Sequence, residues 1–189
     1  DKTEVEGFVA RGAKVLPSFD EVTSDKMKYA KAFRLQEINT DALNADVLIQ
    51  KQKNGEYILQ NKPAYPLTEE EMDEIYSLPY MRTWHPMYDK EGGIKSIEEV
   101  KFSVTSHRGC YGSCSFCSIN YHQGRRIQKR SDKSIIDEIE MLTHDKDFKG
   151  YINDLSGPSA NFREPACEKQ KTLGVCKDKY CIGFTPCKN

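Results

Sequence analysis

The chain has 189 residues, of which 28 are Lys or Arg and 29 are Asp or Glu, a formal net charge of −1. This balance gives no argument for nucleic acid or a membrane surface as partner. No stretch approaches the roughly 18 consecutive apolar residues of a membrane span, and nothing near Asp1 resembles a basic-then-apolar signal peptide. The default expectation is a soluble cytoplasmic protein of one domain, or one and a fraction, with a real core. Seven cysteines without a secretory signal point to metal binding rather than to a disulfide framework.

The elements follow in chain order. Ser24 is placed to cap a helix through Met27, Tyr29, Ala30, Phe33 and Leu35. Val47-Leu48-Ile49, then Asn54-Gly55, then Tyr57-Ile58-Leu59 predict a β-hairpin, because Asn-Gly tolerates the positive φ angles of a tight turn. Thr68 with Glu71 forms a capping box, and the acidic run Glu69, Glu70, Glu71, Asp73 and Glu74 suits the positive end of the helix through Met72, Ile75 and Tyr76. From Tyr80 to Gly93 the aromatics, Pro86 and the Gly92-Gly93 pair predict an irregular connection in which Trp84, His85 and Tyr88 are packed. A strand is expected over Val100–Thr105. It leads through Ser106-His107-Arg108-Gly109 into Cys110, the first cysteine of the chain.

Beyond the cysteine loop, Ser131 caps a predicted helix with Ile135, Ile136, Ile139 and Leu142 on its buried side. Phe148–Asn153 reads as a second strand that ends in Asp154-Leu155-Ser156-Gly157-Pro158. Strand, loop, helix, strand is the pattern of a parallel βαβ unit, expected to be right-handed. Loops at the C-terminal ends of parallel strands carry the chemistry of such units. The cysteine loop and the Ser-Gly-Pro loop share that edge. The organisation expected is a small α+β accessory region with a hairpin over 1–98 and an α/β region with all seven cysteines over 99–189.

Cys110, Cys114 and Cys117 fall within eight residues. Three thiolates at this spacing can hold an iron–sulfur cubane, which takes four, and leave one iron open for chemistry. Gly109 and Gly112 permit tight turns, and Phe116 is placed to supply an apolar wall. The same three cysteines with His107 or His122 can instead form a Cys3His zinc site; both histidines read first as hydrogen-bonded loop residues. Cys167, Cys176, Cys181 and Cys187 lie in a Lys-rich segment with eight, four and five residues between them. They can close a structural zinc site or an auxiliary cluster, or stay independent. The basic run Arg125, Arg126, Lys129, Arg130 and Lys133 reads mainly as a solvated face, although a guanidinium there could bind a carboxylate or phosphate.

Cys110-x-x-x-Cys114-x-Phe116-Cys117 after a strand resembles the signature of radical S-adenosylmethionine enzymes. The wider context, His107–Cys110, His122–Arg125, Phe148–Ile152 and Gly157-Pro158-Ser159-Ala160-Asn161-Phe162, is similar to the YgiQ-like branch of that superfamily. The resemblance implies that Cys110, Cys114 and Cys117 bind a 4Fe–4S cluster and that S-adenosylmethionine chelates its open iron. Reductive cleavage then yields a 5′-deoxyadenosyl radical that attacks an unknown substrate, with an electron-donor protein as partner. By the same resemblance Ser156, Gly157 and Pro158 stand where a Gly-Gly-Glu-like turn meets the methionyl amino group. Ser156 and Pro158 depart from that pattern, which leaves backbone recognition but no carboxylate contact. The family fold is a partial (βα) barrel of about six units, so residues 99–189 would supply about two, an incomplete barrel that cleaves S-adenosylmethionine poorly alone. The competing reading is a non-catalytic zinc-binding module whose basic stretch contacts nucleic acid.

Overall fold

A computed structural model describes residues 2–158, 160–183 and 186–188. Ser159, part of the run that carries the family resemblance, lies outside the described residues. In chain order the elements are α1 (Lys2–Ala10), β1 (Lys14–Val15), α2 (Phe19–Ser24), α3 (Lys26–Glu37), β2 (Leu48–Lys51), β3 (Tyr57–Gln60) and α4 (Glu69–Ser77). After a 3-10 segment (Pro86–Glu91) come α5 (Ile97–Val100), β4 (Ser103–Thr105), β5 (His107–Arg108), α6 (Ile119–His122), β6 (Gln128–Lys129), α7 (Asp132–Thr143), β7 (Asp154–Ser156) and α8 (Lys169–Leu173). Among the described residues no helix is long and apolar enough to cross a membrane.

Two compact units interleave along the chain. The first is built from residues 1–66, 111–126 and 165–189, the second from 67–110 and 127–164. The 1–98 and 99–189 segments expected from the sequence divide the chain by cysteine content; compactness divides it differently.

In the first unit the hairpin forms as its turn chemistry requires. Leu48–Lys51 pairs antiparallel with Tyr57–Gln60, and Gly55 takes φ +85° at the turn. Lys14–Val15 adds a short parallel strand on the other side of β2. Leu16, Ala32, Ala42, Ala45, Leu48, Ile49 and Val175 are buried. The cap of α3 differs from expectation. Asp25 accepts from the N–H groups of Met27 and Lys28, while Ser24 closes the preceding helix and donates back to the Asp20 carbonyl. A carboxylate at the N-cap satisfies these N–H groups and adds a negative charge at the helix's positive end.

In the second unit Thr68 and Glu71 form the predicted capping box, and Met72 on α4 is 0% exposed. β4 and β7 pair in parallel with α7 between them in sequence, which confirms the βαβ connection. Its core is Phe102, Val104, Ile135 and Leu142, with Ile139, Phe148 and Ile152 packed against it. Three details depart from the periodicity. Val100 ends a helical turn, so the strand begins at Ser103. The second strand is Asp154–Ser156, because Phe148 and Ile152 pack on the core and Phe148 meets Phe102 edge-on, centroids 5.4 Å apart. Ile136 is 61% exposed; Glu138 takes a buried place on α7 instead, where Arg130 and Arg82 both bind it. Among the described residues the sheets are small, of three, two and two strands, and none closes into a barrel.

Candidate functional site

The parallel pair sets the edge from which the cysteine loop departs. Past β4 the Ser106 N–H donates to the Ser156 carbonyl (2.8 Å), and the Arg130 N–H donates to the Ser106 carbonyl (3.0 Å). These bonds carry the chain into the β5–β6 antiparallel pair, His107 with Lys129 and Arg108 with Gln128. Gly109 then turns with φ +89°, a left-handed angle that side chains resist, and Cys110 follows, buried. β7 leaves the same edge through Ser156, Gly157 and Pro158.

His107 joins these two exits. It is 0% exposed, and its Nδ1 lies 2.9 Å from Ser106 Oγ. Gly157 lies so close to the ring that a Cβ there would stand 2.1 Å from Nε2. Burial pushes the imidazole pKa below its ordinary value, favouring the neutral ring. His107 is thus the packed, hydrogen-bonded residue expected. His122 is exposed.

The rest of the cysteine loop belongs to the first unit. Cys114 is exposed and Cys117 half-buried, and the Cys117 N–H donates to the Cys114 carbonyl (3.0 Å) in a turn that Ser113 enters at φ +51°. Beside this turn lies a cavity of about 710 Å³, lined by both cysteines, Phe33, Asn120, Tyr121 and Tyr180 among others. The Phe33 and Tyr121 rings meet at a tilt of 45°, centroids 5.3 Å apart. The Tyr121 hydroxyl is buried without a hydrogen-bond partner among the described residues, and burial raises its pKa to about 12, so it stays protonated. Phe116, expected as an apolar wall, is 91% exposed and does not line this cavity.

Two arginines of the basic run are not on the solvated face its composition suggests. Arg130 is 1% exposed: it pairs with Glu138, donates to Ser134 and the Thr105 carbonyl, and lies 4.3 Å above the Tyr76 ring. Arg125 is 6% exposed and donates to the carbonyls of Cys176 (2.9 Å) and Lys179 (3.1 Å). Lys129 pairs with Glu164 and Lys133 with Asp137. Arg125 and Arg130 are thus committed to internal partners, while Lys133 stays at the surface in an exposed ion pair.

The second cysteine group is gathered within the first unit. Gly174 packs so closely on Asp41 that a Cβ would stand 2.2 Å from its Oδ1, and Asn44 Nδ2 donates to the carbonyls of Leu173 and Val175. Burial raises the Cys181 thiol, Arg125 lowers it, and Cys167 and Cys176 are near enough to raise it further. The Cys187 N–H donates to the Cys181 carbonyl (3.3 Å). Among the described residues no disulfide joins any two cysteines. Among the described residues no three His, Cys, Asp or Glu side chains stand close enough to hold a metal ion as they are.

Comparison with known proteins places this arrangement in context. Residues 3–103 match the family model described as Radical SAM N-terminal. The chain is 56% identical over 174 residues to the UPF0313 protein of Clostridium botulinum strain 657, covering 92% of this chain and 27% of that protein. It is 55% identical over 175 residues to the UPF0313 protein of Clostridium perfringens strain 13, covering 93% of this chain and 26% of that protein. The chain therefore spans about a quarter of the length of these curated relatives. No solved structure matches it.

Proposed function

Because the chain belongs to the radical S-adenosylmethionine superfamily, in its UPF0313, YgiQ-like branch, we propose that Cys110, Cys114 and Cys117 hold a 4Fe–4S cluster that binds S-adenosylmethionine. The observation that carries this reading is the exit edge of the second unit. Cys110 and the Gly157 turn leave the C-terminal ends of β4 and β7, the edge where parallel sheets present their ligand loops.

The residues fit such a cluster in kind. The loop offers three sulfur donors within eight residues, and a left-handed glycine stands at each end, Gly109 at φ +89° and Gly124 at φ +82°. Exposed Cys114 is open to incoming iron. When bound, the cluster supplies the electron that cleaves S-adenosylmethionine reductively to a 5′-deoxyadenosyl radical.

The chain's own residues contribute position and protection. His107 is kept neutral by burial and holds the Gly157 turn by packing. Ser156, Gly157 and Pro158 offer backbone groups to the methionyl end of the cofactor, and no carboxylate stands among them. The reading extends to an unassigned substrate and an electron-donor protein, and we expect this chain alone to cleave S-adenosylmethionine poorly.

The test is anaerobic reconstitution with iron and sulfide. We expect a brown protein with about four irons per loop, and an electron paramagnetic spectrum that changes on adding S-adenosylmethionine. A colourless chain whose three loop cysteines hold only zinc would overturn the proposal.

A further inference from the structure

N–H donors stand beside the sulfurs of the second cysteine group, while burial holds the Cys181 thiol above its ordinary value, so its proton is drawn off only by a bound ion. Arg125, 6% exposed, brings a full positive charge into the first unit, yet among the described residues no carboxylate pairs with it and its Nε has no hydrogen-bond partner. The guanidinium donates to the Cys176 and Lys179 carbonyls and lies over the Tyr180 ring, so dipoles solvate its charge without neutralising it, which suits a site that gains an anion. Cys181 lies beside it, and Cys167 and Cys176 are near Cys181 in turn.

Two more N–H donors point at sulfur in the same place. Gln170 Nε2 lies 3.7 Å from Cys181 Sγ, and Lys169 Nζ lies 4.0 Å from Cys176 Sγ. Gln170 is 4% exposed and, among the described residues, its Oε1 has no partner. A side chain so deeply buried, aimed at a thiol and otherwise unsatisfied, suits a thiolate acceptor better than a neutral S–H.

We infer that Cys167, Cys176, Cys181 and Cys187 form a tetrathiolate site for one zinc ion, with Arg125 as its buried counter-charge and Gln170 as a hydrogen-bond donor to its sulfur. Four thiolates on Zn²⁺ leave two negative charges, which Arg125 and Lys169 answer. The four thiol protons pass to solvent as the ion binds, so no oxidant or reductant is needed. A closed four-ligand site has no open position and is structural, unlike the three-cysteine loop.

Cys167 and Cys176 lie near Cys181, and Cys187 is joined to Cys181 by a backbone hydrogen bond, but among the described residues no three of them form a ready-made site. Ion binding draws them together and ties the segment after α8 to itself. That segment is already moored at its other contacts. Lys177 Nζ bonds Asn39 and Asp46, and Arg34 donates to the Lys177 carbonyl and to Tyr180.

The test uses the whole chain with Cys110, Cys114 and Cys117 replaced by Ala, so that the loop cluster cannot contribute metal. This variant should bind one equivalent of zinc. With cobalt instead it should show thiolate-to-cobalt absorption and the visible bands of a tetrahedral ion. Adding Cys176→Ser and Cys181→Ser should abolish both signals. Arg125→Gln, which leaves every ligand in place, should weaken zinc binding about 10- to 100-fold, the usual effect of losing a group that supports the ligands. A metal-free loop variant would overturn the inference, as would zinc retained after the Cys176 and Cys181 substitutions or affinity unchanged by Arg125→Gln. Iron with inorganic sulfide at these four cysteines would overturn the assignment to zinc.

Discussion

Gly157→Ala tests the packing that joins the two exits of the parallel pair. The added Cβ would stand 2.1 Å from Nε2, 2.2 Å from Cε1 and 2.6 Å from Cδ2 of His107. Ordinary non-bonded contacts between carbons begin near about 3.5 Å, so ring and turn must separate by roughly 1 to 1.5 Å. The ring has nowhere to go: it is 0% exposed and anchored through Nδ1 to Ser106, whose own N–H bonds the Ser156 carbonyl next to the substituted glycine. Overpacking of this kind costs about 1–3 kcal/mol, and losing a hydrogen bond in the adjustment adds about 1. The expected loss is about 2–4 kcal/mol, and a loss of about 3 would lower the melting temperature of a chain this size by roughly 6–12 °C. Thermal or urea unfolding of Gly157→Ala, of His107→Ala and of the double variant would measure it. Truncating His107 removes the obstacle, so the two changes should be strongly non-additive, with a coupling of about 1 kcal/mol or more. A Gly157→Ala chain that melts within about 1 °C of the parent, or two losses that simply add, would refute the reasoning.

Other expectations rest on the same kind of accounting. Glu138→Gln leaves Arg130 and Arg82 facing a neutral amide inside the second unit and should cost about 3–5 kcal/mol in denaturant unfolding, whereas Lys133→Ala, which breaks an exposed pair, should cost under about 1. Met72→Ala removes a side chain that is 0% exposed and should cost about 2–5 kcal/mol by the same measurement. His107 has a lowered pKa in the folded state, so the unfolded chain binds the proton first as pH falls. Its contribution is whole above about pH 6.5 and is lost as pH drops from there through the folded value. Melting temperatures at about pH 7.5 and 5.5 should therefore differ more for the parent than for His107→Gln. Glu21, lowered to about 2, acts in the same direction only at more acid pH.

Local rules carried the reading where the chain needs only its neighbours. Asn54-Gly55 made the hairpin visible, and Thr68 with Glu71 the start of α4, because turn and cap chemistry operate over a few residues. Tertiary packing decided the rest. Phe148 and Ile152 have strand-like character, yet the core needs them as side chains and the pairing falls to Asp154–Ser156. Ile136 fits an apolar helical face, but the buried place goes to Glu138, since two arginines that follow no local pattern find it there. Arg125 shows the same limit. A charge run reads as solvated, and only a fold that brings Cys176 and Lys179 across more than fifty residues explains its burial. The cysteine loop was legible from spacing. The Gly157 contact with His107 was not, since no pattern marks a glycine whose necessity is a distant ring.

The interleaving of the two units imposes an order of events during synthesis. The second unit draws its parallel pair from residues no later than Ser156, so it can condense while the ribosome is still adding chain. The first unit must wait. Asn44 finds its carbonyl partners 129 and 131 positions on, and Arg34 meets Lys177 and Tyr180 143 and 146 positions on. Contacts so far apart along the chain form slowly. Residues 111–126, with Cys114 and Cys117, therefore spend the interval after emergence without the unit they will join. For a thiol-bearing loop this is a period of exposure to metals and oxidants, and it is also when delivery of iron and sulfide would meet the least obstruction.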